Sequence, residues 1–151
     1  MNGTTLKALR LALGFTQQES ANIIGKVQLR TWQYWEDSGR VIPADVILLI
    51  FELFRFKNKL ILEVSMQIHE LINEHGRPES VNLTYYTHLE SWMTQEDAIP
   101  TQWRPHGMAM GELAGQFGFV RLIAFDAVSY QAWLSNRRDN SAMRAQWAAL
   151  Q

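Results

Sequence analysis

The chain has 151 residues, 47% hydrophobic and 19% charged, with a formal net charge of −1. That length suits one domain or two small ones, and the balance is that of a globular protein rather than a disordered or fibrous one. With no cysteine, no secretory-signal pattern at the start, and a densest apolar stretch (residues 46–56) broken by Glu52 and Arg55, the composition argues against disulfides, thiolate metal sites and a membrane span, and a cytoplasmic setting is expected.

The charge is uneven. Residues 1–60 hold eight Lys/Arg against five Asp/Glu, and the remainder six against ten, so a half at +3 is joined to one at −4. Such asymmetry points to a polyanionic partner for the first half.

In chain order, Thr4 or Thr5 is expected to cap a helix running to about Leu13, with Leu6, Leu9 and Leu13 on one face and Gly14 ending it. "FTQQESANIIG" then opens on Thr16 with Glu19 three residues later, a capping box with Phe15 placed to staple it, and closes at Gly25. Gln28 is expected to cap a helix reaching about Asp37, with Ser38-Gly39 as its stop and Pro43 starting the next. Residues 43–75 are almost wholly helical in pattern. Val46, Leu49, Ile50, Leu53 and Phe54 form one stripe, and Ile61, Val64, Ile68, Leu71 and Ile72 a second. "FRFKNK" between them is the place for a break, although no Pro or Gly forces one. "HGRPES" is the linker candidate.

The second half changes character. "VNLTYY" (81–86) and "FVRLIAF" (119–125) read as strands. "THLE" repeats the capping-box pattern before a short helix through Trp92, residues 105–117 are helical despite three Gly, Asp126 caps a helix to about Asn136, and Ser141 starts the last. The expected fold is mainly α (α+β overall): a helical domain over residues 1–76, then a small α+β region over residues 77–151 with a short two-stranded sheet and helices on one side.

A capped helix, a tight turn allowed by Gly25 with positive φ, and a helix bearing exposed polar residues form a helix-turn-helix layout. Small Ala21 lets the two helices approach. On a 3.6-residue period Trp32 and Trp35 point inward with Leu29, while Arg30, Gln33, Tyr34 and Asp37 point outward. Arg can bind guanine and Gln adenine bidentately in the major groove, and Tyr34 can reach a phosphate or a thymine methyl.

Residues 5–45, through "LKALRLALGFTQQESANIIG" and "TWQYWEDSGRVIP", resemble the lambda-repressor-like (Xre) DNA-binding domains. They follow the pattern L-x-x-L-R, T-Q-x-x-x-A-x-x-x-G and W-E-x-G-x-x-x-P, with about one extra residue between Gly25 and Trp35 and one more before Pro43. The resemblance implies a phosphate contact at Gln17 and base contacts at Gln28, Arg30 and Gln33. "GKVQLRTWQYWEDSGRVIPADV" further resembles the anti-CRISPR-associated repressors and their phage and bacterial relatives, with a Y-x-x-W-L-like ending at residues 130–134. This implies an autoregulatory homodimer on an inverted repeat, dimerised through the C-terminal region. The candidate DNA-binding residues are Gln17, Lys26, Gln28, Arg30, Thr31, Gln33, Tyr34 and Arg40.

Dimerisation is also expected on physical grounds, because one helix-turn-helix unit contacts too few base pairs to be selective. Trp92, Trp103, Phe117, Phe119, Tyr130, Trp133 and Trp147 supply material for core, with any exposed subset left for an interface. Enzymatic readings find no support: His69, His75, His88 and His106 lack metal-ligand spacing, and Glu96 and Asp97 are adjacent in a polar loop. Gly107, Gly111 and Gly115 lie four apart, which on a helix makes a flat stripe for close packing rather than a phosphate loop. The expected function is a DNA-binding transcriptional repressor, not an enzyme, with no cofactor and no membrane partner. Two alternatives stand beside it: an antitoxin-like or other protein-binding module, and RNA binding by the same basic face.

Overall fold

The computed structural model describes residues 1–37 and 39–151; Ser38, read above as part of a helix stop, lies outside the described residues. Helix α1 (Gly3–Ala12) starts two or three residues earlier than Thr4 or Thr5 would place it, because Asn2 is the cap: its side chain accepts from the Thr5 N–H at 2.8 Å. The Thr16–Glu19 capping box forms as expected and opens α2 (Gln17–Glu19), which widens into a π turn over Ser20–Gly25. Helix α3 (Leu29–Asp37) follows directly after Gln28, whose carbonyl accepts from the Thr31 N–H. The positive φ of the connecting turn falls on Lys26 (φ 49°) and not on Gly25. Space is tight at Gly25 instead: a Cβ there would stand 3.1 Å from atoms of Trp32, Trp35 and Val27.

Helix α4 (Ala44–His75) is continuous through "FRFKNK", and its 32 residues span about 48 Å at 1.5 Å per residue. Its first half carries Val46, Ile50 and Leu53 into one core with Leu6, Leu13, Phe15, Ala21, Ile24, Trp32, Trp35 and Ile42. Its second half carries Ile68, flanked by Ile61, Val64 and Ile72, into another; Leu71, expected in that stripe, is exposed.

Strands β1 (Val81–Tyr85) and β2 (Val120–Ala124) pair in parallel, Val81 opposite Val120 and Tyr85 opposite Ala124. Parallel strands need a crossover, and here it holds α5 (Leu89–Trp92), a 3-10 turn (Pro100–Gln102) and α6 (Trp103–Gln116). Helices cover both faces of the sheet, not one. Val81, Leu83, Tyr85, Val120 and Leu122 join Ile68 of α4 and Ala109, Met110 and Leu113 of α6. From the other face Asn82 and Thr84 donate to the carbonyls of Ala148 and Arg144 on α8 (Ser141–Ala149). A parallel pair buried on both faces is the ordinary outcome of a crossover, because the connecting helix must lie on one side and something must cover the other.

Local caps divide. Asp126 caps α7 (Ala127–Leu134), accepting from the Ser129 N–H at 2.6 Å. Thr87 does not cap α5; His88 holds that position and makes no side-chain cap. Of the glycine stripe, only Gly107 lies against a strand residue, with Tyr85 ring atoms about where a Cβ would touch (3.5 Å); Gly111 and Gly115 face open space. A third core gathers Tyr86, Trp92, Trp103, Phe125, Tyr130, Leu134, Trp147 and Ala148, so most of the second half's aromatics are ordinary core, with Phe119 and Trp133 half-buried. Arg144 is buried among them, held by Asp139 and Thr94 and lying 4.7 Å from the Phe125 ring centre. His106 packs between Tyr86 and Trp92, and burial pushes its imidazole down to about 4, the condition of a neutral core residue.

Candidate nucleic-acid interface

Helix α3 is held from beneath by a buried polar knot. Glu36 is 5% exposed and takes four hydrogen bonds: from Arg10 Nε (2.6 Å) and Nη2 (3.2 Å), from Trp32 Nε1 (2.6 Å) and from Gln17 Nε2 (2.7 Å). Arg10, equally buried, also donates to the Phe15 carbonyl at 2.8 Å. Burial by itself would raise the Glu36 carboxyl, but Arg10, Gln17 and Trp32 outweigh it and hold the group below its ordinary range. The knot ties α1, the start of α2 and α3 into one unit. Trp32 and Trp35 meet edge to face, 5.6 Å between centres, on the same inner side.

That mounting decides which side chains face outward. Lys26, Gln28, Arg30 and Arg40 are exposed, while Thr31, Gln33 and Tyr34 are half-buried. Arg30 Nε donates to the Tyr34 hydroxyl at 2.6 Å, and the Arg40 guanidinium lies 4.4 Å from the Tyr34 ring centre, so Tyr34 is bracketed by two cations. Among the described residues, none of Lys26, Arg30 and Arg40 forms an ion pair, which leaves the edge electropositive. Gln33 reaches Gln17 at 3.4 Å, and Gln17 in turn bonds Glu36. Gln17 and Gln33 are therefore linked to the Glu36 mount, and Arg30 and Arg40 to Tyr34, whereas Lys26 and Gln28 join them only as neighbours along the chain.

The residues that the sequence reading passed over are Arg10 and Glu36. Both stood inside the quoted motifs, but a charged pair 26 positions apart has no local signature. The signal was a cation and an anion each surrounded by residues bound for the core.

The α2–α3 geometry and the comparison with known proteins together define a class, a helix-turn-helix regulator of the anti-CRISPR-associated repressor type. The chain belongs to the Aca2/YdiL-like family, whose model matches residues 1–120. It is similar to the Aca2 repressor of Pectobacterium phage ZF40, at 29% identity over 93 residues that make up 62% of this chain and 74% of that protein. Among the described residues no helix is long and apolar enough to cross a membrane.

Proposed function

We propose that the chain is a sequence-specific DNA-binding repressor that acts as a homodimer on an inverted repeat, controls its own promoter, and works without enzymatic activity in the cytoplasm. The observation that carries this reading is the electropositive edge of α3, where Arg30 and Tyr34 stand with Arg40 from the segment after the helix, on a helix that Trp32, Trp35 and Glu36 anchor in the core. A rigid mount matters because base readout needs side chains presented at one angle to the groove, while phosphate contacts set the register.

In this reading Arg30 and Gln33 address base edges, with Gln28 and Thr31 beside them at the start of α3. Lys26, Arg40 and Tyr34 meet the phosphates, and so does Gln17 from the first turn of α2. Residues 1–76 form the DNA-reading unit, and residues 77–151 the dimerisation region. The name of the phage relative, a repressor, supports the regulatory role.

The test is a footprint over the chain's own upstream region. Arg30→Ala is expected to weaken binding by about 1–3 kcal/mol, or roughly fivefold to 150-fold, and to relax preference at one base position. Unchanged affinity and unchanged preference in that variant would remove Arg30 from the site. A co-purifying protein and no protected DNA would favour a protein-binding module instead, and protection of the transcript but not the duplex would favour RNA.

A further inference from the structure

The reading unit and the C-terminal half share one covalent spine, α4, whose first half lies in the first core and whose second half packs with α6. One helix fixes the separation of two bodies but resists rocking and twisting poorly, since long helices bend. Three lateral contacts brace it. Lys57 on α4 pairs with Glu112 on α6 at 2.9 Å. Met108 lies over Gly14, where an added Cβ would stand 2.7 Å from the Met108 Cγ. Arg104 forks onto Glu19, with Nη2 2.6 Å from Oε1 and Nε 3.2 and 3.3 Å from the two oxygens.

Of these three, the Arg104 brace is the one that ends on the helix pair itself, beside the approach of the Ser20–Gly25 turn to the 3-10 turn at Pro100–Gln102. Glu19 accepts from the Thr16 backbone N–H at 2.9 Å, so the carboxylate that caps α2 is also the one that α6 grips. Arg104 is stiffened from behind: its guanidinium lies 4.1 Å from the Trp103 ring centre, and that indole is buried and donates to the Tyr86 carbonyl at 2.9 Å. Both partners are half-buried, so the fork is shielded from water on part of its surface.

We propose that Arg104 is a positioning residue that sets the angle of α2–α3 against the C-terminal half, and thereby the half-site spacing that a dimer accepts. The inference rests on the dimeric DNA-binding reading above. In a two-fold dimer the spacing of the two reading helices must match one helical turn of DNA, about 34–36 Å. Each base pair added between half-sites moves one of them by about 3.4 Å and rotates it by about 35°. A braced unit rejects that displacement; a loosened one follows it.

The experiment is selection from a random duplex library about three helical turns long, using the full-length wild type, Arg104→Ala and Arg104→Lys. The wild type enriches paired half-sites at one dominant spacing. Arg104→Ala enriches the same half-site sequence, but its preference for the dominant spacing over neighbouring ones falls by about fivefold, the lower end of coupling between separate sites. Arg104→Lys keeps a cation without the fork and falls between. A purely structural role would lower affinity for all spacings together; an unchanged spacing profile in Arg104→Ala therefore overturns the inference. Should that variant fail to fold, the profile of Arg104→Lys decides alone, broadened in support or unbroadened against. A wild type that enriches no paired half-sites overturns the DNA reading itself.

Discussion

Glu36 shows how one side chain supports a surface it does not touch. It lies under α3, and its four hydrogen bonds join three helices. Removing the carboxylate leaves the Arg10 guanidinium buried without its counter-charge, and breaking such a pair costs about 3–5 kcal/mol. Glu36→Leu should therefore lower the urea midpoint sharply. The pH dependence has a definite sign. Because the folded Glu36 carboxyl lies below the ordinary 4.5, its contribution is complete above about that pH and is lost as pH falls through the depressed folded value. Urea titrations from pH 7 downward should show the wild type losing stability first below about 6.5, where the buried neutral His106 takes a proton only on unfolding, and further below about 4.5, with a shallower lower limb in Glu36→Leu. Glu19 and Asp139, which arginine contacts also hold low, add to the slope that remains.

At the scale of elements, α2 is short and depends on its ends. Its regular α part covers three residues before the π turn, too few for propensity to hold it. The Thr16–Glu19 box and burial of Ala21 and Ile24 replace that cooperativity. Thr16→Ala should cost about 1 kcal/mol. Glu19→Ala should cost more, because the box and the Arg104 fork go together, and thermal unfolding of both variants checks the order. The capping box was readable from residues 16–19 because its two partners lie three positions apart. Other element readings failed where geometry was not local. Thr87 and Glu90 match the same pattern, yet the chain enters α5 at His88. Gly25 looks like a conformational glycine, but its neighbours Trp32 and Trp35 come from the next helix, and they crowd the place of a Cβ.

For the whole molecule, the charge split between the halves acquires a location. The cations of the first half include Arg30 and Arg40, both exposed and gathered at Tyr34, and the exposed Lys26 before α3, while Lys7 and Lys57 pair with carboxylates elsewhere. A net charge of −1 therefore conceals a local electropositive surface. If Arg40 meets a phosphate, Arg40→Ala should weaken binding across all sequences alike and reduce the slope of log affinity against log salt by about 1. Titrations at several salt concentrations on cognate and scrambled duplexes distinguish this from base readout.

Amphipathic periods, the Thr16 and Asp126 caps and the strand alternation of residues 81–85 and 120–124 were determined by the sequence itself, because each depends on residues within a few positions of one another. So was the division of α3 into an inner Trp32–Trp35 side and an outer Arg30–Tyr34 side, since a helix converts spacing into direction. Tertiary structure alone decided that Glu36 and Arg10 meet, that Gln17 links Gln33 to that pair, that helices cover both faces of the sheet, and that Arg104 reaches Glu19 across 85 residues. These are pairings between distant segments. Their partners become neighbours only after the cores close, so no local rule of spacing or propensity carries them.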